Sequence, residues 1–346
     1  MAYRSRARLP GLLALLLAAG LACSVVGRRA PTDTPFPTVP LSALPLPLTP
    51  APTAGSAATN TAAPPPTGTP PALTPSTAVA SLPGQIVFVC YLEGYDNLCL
   101  MRGDGTEPQR LTHTQATDFY PSLSPDGRQI LFSSRRAGNF DIYVLDISTG
   151  DVRPLTSGLG SNFGPEFSPD GARIVFASSR DNVGHIWVME AGGANPRPLT
   201  QVGSNVDPTW SPDGRHIAFA SLRGATTELY LMRADGSDVR QVTHDLNIGG
   251  RSDWSPDGRV LAFYAGEPGA RNIFTYDLDT ATLRQLTEGG DNRGPSFSPD
   301  GRWIAFAGFR DGDNEIYAVR TDGSELIQLT DNTRPDWQPR WGVLPP

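Results

Sequence analysis

The chain has 346 residues and a formal net charge of −7, and all 28 of its Lys-plus-Arg positions are Arg. Arg4, Arg6, Arg8, Arg28 and Arg29 lie at the N-terminal end, so the rest of the chain is more acidic than the total indicates. An acidic body with no basic stripe excludes nucleic acid as a partner, because a phosphate backbone is held by clustered cations.

Arg4, Arg6 and Arg8 precede an apolar run from Leu12 to Ala22. That run is shorter than the ~20 residues of a membrane-spanning helix and has the charged and apolar regions of a secretory signal. It ends Gly20-Leu21-Ala22-Cys23-Ser24. Small residues before a cysteine resemble the bacterial lipoprotein signal, whose cysteine is lipidated and becomes the mature N-terminus. Gly20 stands where that signal usually carries Leu. Residues 1–23 are therefore expected to be a lipoprotein-type signal ending at Cys23; plain cleavage beside Ala22 and an uncleaved short anchor are the alternatives. Residues 24–84 are expected to be a disordered linker. Pro, Thr and Ala dominate it, and from 31 to 80 its only charged residue is Asp33. Repeated Pro removes amide donors, and sparse apolar residues cannot nucleate a core. Extended at ~3 Å per residue, such a segment reaches up to roughly 150 Å.

From residue 85 onward the sequence repeats. Ser-Pro-Asp-Gly occurs at Ser124–Gly127, Ser168–Gly171, Ser211–Gly214, Ser255–Gly258 and Ser298–Gly301, at intervals of 44, 43, 44 and 43 positions. An apolar residue precedes each match (Leu123, Phe167, Trp210, Trp254, Phe297), and a strand such as His216-Ile217-Ala218-Phe219 follows it. Next come an aliphatic–aromatic pair, as in Ile142-Tyr143 or Leu229-Tyr230, and a closing Leu-Thr or Val-Thr. This pattern predicts four strands per unit and no helix. Pro at the second turn position, Asp at the third and Gly after them make a hairpin turn, and the Ser is a turn cap before it is a nucleophile. Leu111-Thr112 closes a sixth, degenerate copy that begins near Gln85 and lacks its first strand. Pro339-Arg340-Trp341 supplies that strand from the other end. The expected fold over 85–343 is thus an all-β, six-bladed β-propeller whose C-terminal strand closes the first blade.

A repeat reading P-x-W-S-P-D-G, I-A-F, S-x-R, I-Y and L-T resembles that of the TolB-type propeller. The resemblance implies a six-bladed disk with a central channel, and a periplasmic protein that binds a peptidoglycan-associated lipoprotein over the channel mouth. That family carries a folded α/β domain before its propeller, where this chain has the Pro-rich linker.

Two polar slots recur where interblade connections and second-to-third-strand loops share one face. Asp118, Asn162, Asn205, Gly249, Asn292 and Asp336 form one, and Arg136, Arg180, Arg223, Glu267 and Arg310 the other. Such a ring can bind a polar protein surface or an acidic sugar; equally, Asp/Asn can cap turns and Arg can pair with acids of the fold. Gly249 and Glu267 make the fifth blade the exception. No G-x-S-x-G, H-E-x-x-H, P-loop or C-x-x-C is present, and the four His are dispersed, so no catalytic, metal or cofactor site is expected. The channel acids Glu166 and Asp253 remain able to hold an ion. Cys90 and Cys99 flank a hairpin near Gly94; in an oxidising compartment a disulfide is expected, and two buried thiols are the alternative. The functional expectation is an exported, monomeric, non-enzymatic scaffold, anchored in the cell membrane by its lipid and binding an envelope protein or extracellular polymer. A carbohydrate-binding protein or polysaccharide lyase-like enzyme using the channel mouth is the alternative.

Overall fold

The computed structural model describes residues 82–158, 160–180, 183–310 and 312–346. Cys23, the signal and all but the last three linker residues lie outside the described residues. Within them, the regular structure is entirely β-strand, arranged as six four-stranded antiparallel sheets. Blade one consists of Asp336–Gly342, Gln85–Leu92, Tyr95–Arg102 and Gln109–Arg110, so the two ends of the propeller pair in one sheet. Blades two to six follow in chain order with inner strands Asp118–Leu123, Asn162–Phe167, Ser204–Trp210, Asp253–Trp254 and Asp291–Phe297.

Each Ser-Pro-Asp-Gly turn is built the same way. The Ser hydroxyl donates to the Asp carboxylate two residues on and accepts the amide five residues on, as in Ser211 with Asp213 (2.6 Å) and His216 (2.9 Å). The same pair of bonds occurs in the other four copies. The Gly takes φ near +70° (71° at Gly127, 68° at Gly214), a region closed to most side chains, and this reverses the chain into the second strand. The closing Thr has an equally fixed task. Its hydroxyl accepts the third-strand amide fourteen residues earlier in all six blades, from Leu98→Thr112 to Ile316→Thr330. A short fourth strand is thereby pinned without a long ladder.

Period-two alternation puts second-strand Phe and Ile into the spaces between sheets. Phe132, Phe176, Phe219, Phe263 and Phe306 are fully buried, each worth about 1.5–3 kcal/mol on burial. In four blades this ring lies 5.7–6.0 Å from the third-strand aromatic, as in Phe306–Tyr317, which accounts for the aliphatic–aromatic pair. Every pair of adjacent blades shares an apolar cluster. The cluster between blades six and one joins Trp303 and Ile316 to Ile86, Phe88 and Trp341, so the ring closes by hydrophobic contact as well as strand pairing. Cys90 and Cys99 lie in the same cluster, diagonal across the first hairpin (Cys90 opposes Asn97, Cys99 opposes Phe88). Their sulfurs are joined, with the Cα atoms 5.9 Å apart.

Candidate functional site

Inner strands line the channel, and five of the six carry a bulge. At each bulge the residue before the Pro slot has positive φ: Tyr120, Gly164, Asp207, Gly294 and Gln338, at 50–61°. A β-bulge re-aims a side chain, and non-Gly residues held at positive φ concentrate where a structure has a specific use for them. Two layers of side chains result.

The deeper layer, one residue after the Pro slot, reads Arg340, Ser122, Glu166, Thr209, Asp253, Ser296 around the ring. Charged residues occupy alternate blades and hydroxyls the blades between. Arg340 reaches Glu166 at 3.3 Å and Asp253 at 3.1 Å, and it also donates to the Ser252 carbonyl. Each acid is then satisfied by the next blade: Glu166 accepts from Thr209 Oγ1 and the Trp210 amide, Asp253 from Ser296 Oγ and the Phe297 amide. Burial lifts the Glu166 carboxyl above its ordinary value, against the pull of Arg340. The bulge layer contains a second crossing. Arg251 of blade five donates to the Pro121 carbonyl of the opposite blade two at 2.8 Å, with its guanidinium 5.8 Å from the Tyr120 ring. The Tyr120 amide donates to Gln338 Oε1. Asp207 is pushed up to about 6 by burial, opposed by Arg251 and Arg340. Arg251 is pushed down to about 9, first by burial and then by the like charge of Arg340. Two arginines thus span the channel at two depths, and the lone pairs of Glu166 and Asp253 are committed to Arg340 and the neighbouring blade. Among the described residues no group of three or more His, Cys, Asp or Glu is placed to hold a metal.

The recurrent rim residues are drawn into the fold. Asp118, Asn162, Asn205, Asn292 and Asp336 are all buried. Asp118 pairs with Arg136 at 3.1 Å; Asn162 bonds Asp141 and Thr156; Asn205 bonds Thr200 and accepts from Ser221. Asn292 bonds Asn272 and accepts from Arg310, and Asp336 accepts from Asn332. The arginines lie over third-strand rings: Arg136 over Tyr143, Arg180 over Trp187, Arg223 over Tyr230 and Arg310 over Tyr317. In the S-x-R repeat the Arg Nε donates to the Ser hydroxyl two residues before it. Blade five departs because Tyr264 replaces the small residue of its second strand. A Cβ on Gly249 would meet the Tyr264 ring at 2.0 Å, and the Tyr264 hydroxyl donates to the Gly249 carbonyl. Glu267 is exposed in the adjoining turn. Sequence reasoning did not single out Arg251, Arg340, Asp207 and Tyr264; their signal was an unusual residue type in an otherwise uniform slot.

The TolB beta propeller domain family (PD40) matches residues 142–345, more than half of the chain. The chain belongs to the TolB β-propeller family. TolB from Acinetobacter baumannii is 25% identical and superposes with a TM-score of 0.70, covering 77% of this chain and 68% of that one. A putative TolB from Agrobacterium tumefaciens, at 20% identity and a TM-score of 0.61 over 77% of this chain and all of that one, shows the same fold. A TolB homologue from Chlorobium luteolum is 37% identical over 70 residues, and that match spans 20% of this chain and only 16% of the relative. The TolB-type propeller described here therefore has its family resemblance in the repeat and the ring.

Proposed function

We propose that this TolB-type propeller is a non-catalytic protein-binding scaffold, exported, tethered at the cell envelope through lipid on Cys23, and binding an envelope protein on the face that carries the interblade connections. The observation that carries this reading is the placement of the propeller's two ends. Gly84 lies against Gly342 and against Pro299 of the sixth-blade turn, and Val343 and Pro345 lie beside Gly127 of the second-blade turn. Gln85 Nε2 donates to the Gly127 carbonyl. The first described residues thus lie on the Ser-Pro-Asp-Gly side of the ring, opposite the connector face. The Ser-Pro-Asp-Gly side offers a groove of about 500 Å³ between blades five and six, but its acids are held by their own turns, Asp257 and Asp300 by their serines and Asp277 by the Asp279 and Thr280 amides. The connector face exposes Tyr91, Tyr95, Val202, Leu222 and Phe309, apolar groups of the kind that mark protein interfaces.

Site-specific photo-crosslinking in intact cells tests the reading. A photoreactive residue at Leu222 or Phe309 should yield a discrete protein adduct, and one at Asp170 or Asp300 should not. Adducts only from the turn face would overturn the assignment of the face. Cys23→Ala should move the protein from the membrane to the soluble fraction; unchanged fractionation would refute the lipid tether.

A further inference from the structure

Charge is unevenly spread over the connector face. Arg135, Arg180 and Arg223 stand on blades two, three and four, and among the described residues none of them has a carboxylate at ion-pair distance. Each guanidinium is nonetheless held in place: 4.7 Å over Phe140, 4.0 Å over Trp187 and 4.6 Å over Tyr230. A cation stacked on a ring is already ordered, so pairing it with a ligand costs less side-chain entropy. The opposite sector carries the exposed Glu267. Glu315 and Asp336 are buried there, and burial is the main cause that raises both carboxyls, Asp336 to about 7 with the charge of Glu315 adding to it.

Beside the arginines runs a row of rings across blades one to three. Trp337 meets Phe119 at 6.3 Å, Phe119 meets Tyr120 at 6.2 Å, Tyr120 meets Phe163 at 6.4 Å and Phe163 meets Phe140 at 5.4 Å. Four of these, Trp337, Phe119, Tyr120 and Phe163, are only half-buried. Successive rings are tilted 49–68° to one another, interlocked and not laid open as the flat platform on which a sugar stacks.

We propose that this sector docks an extended acidic segment of a partner protein, its carboxylates pairing with Arg135, Arg180 and Arg223 and its apolar side chains packing against Phe119 and Phe163. The proposal rests on the protein-binding reading above and names the chemistry of the partner. Charge complementarity carries it: in a chain of net charge −7, an unpaired basic and aromatic sector selects against most of the protein's own surface and for an anion.

The test is selection of a random peptide library, with peptides of about twelve residues, on the full chain in detergent, with polygalacturonate as a parallel probe. Selected peptides should be enriched in Asp and Glu beside an aromatic or Leu, and they should weaken steeply with salt. The combined variant R135Q/R180Q/R223Q should weaken them by about tenfold or more, and the corresponding Arg→Lys variant by only a few-fold. A control on exposed outer-strand arginines, R153Q/R197Q/R240Q, should change affinity by less than about twofold. All variants should unfold at the wild-type midpoint to within a few degrees. Selection without acidic enrichment, equal loss in both Gln variants, no selected peptide, or polygalacturonate retained in preference to peptide would each overturn the proposal. Crosslinking from Leu222 and Phe309 decides the protein-binding reading separately.

Discussion

Arg340→Met removes the cation that Glu166 and Asp253 share, and the geometry sets the cost. Arg340, Glu166 and Asp253 expose 8%, 17% and 19% of their side chains, so the charges are largely desolvated. Removing one partner of a buried ion pair costs ~3–5 kcal/mol, because the other charge is left buried. Here each acid keeps a hydroxyl and a backbone amide, which favours the lower part of that range, about 3 kcal/mol at pH 8. Urea unfolding followed by tryptophan fluorescence should show a lower midpoint with unchanged slope. The loss should shrink toward pH 5. Burial already raises Glu166, and without Arg340 it rises further, so the native state of the variant binds the proton before the unfolded chain does and stability increases as pH falls. The neutral triple variant R340M/E166Q/D253N should recover to within about 1 kcal/mol of wild type, since neither Glu166 nor Asp253 is then left as a buried charge without its cation. A single variant as stable as wild type at pH 8, or a triple variant no better than the single one, would refute the reasoning.

Three further outcomes are expected. Gly249→Asn should destabilise the fold by about 3 kcal/mol and lower its thermal midpoint, since its Cβ collides with the Tyr264 ring; Tyr264→Ala in the same chain should restore much of it, measured by calorimetry. Intact mass before and after reduction should differ by two hydrogens for the Cys90–Cys99 bond, and its removal by a Cys→Ser pair should cost roughly 3 kcal/mol for a loop this short; a mass unchanged by reductant refutes the pairing. Asp336 is raised from 3.8 to about 7, chiefly by burial. Below the unfolded value both states hold the proton; between about pH 4 and 7 only the native state does. Stability should therefore fall as pH rises through that window, and Asp336→Asn should flatten the slope; an unaltered profile would refute the assignment.

Much of the ring was legible before any coordinates, because its information is local and repeated. A Ser-Pro-Asp-Gly turn needs only six consecutive residues to close its bonds, and a terminal Thr only the amide fourteen positions back. The rim was legible as a pattern and ambiguous as chemistry. Asn205 reads equally as a ligand-binding amide or a cap, and only its bonds to Thr200, Ser221 and two carbonyls place it in the cap. Gly249 and Glu267 read as a break in symmetry, and Tyr264, fifteen residues from Gly249, supplies the steric reason for the Gly.

The sequence by itself determined the number of blades, the five Ser-Pro-Asp-Gly turns and the order of strands within each unit, since each follows from a period of two within strands and 43–44 between units. Only the tertiary structure decided what meets on the axis. Arg340 and Glu166 are 174 positions apart, and Arg251 and Pro121 are 130 apart. No local rule couples them. They meet because six sheets closed into a ring aim one residue from each inner strand at the same axis, and whether those residues leave an open channel or brace it shut depends on all six at once.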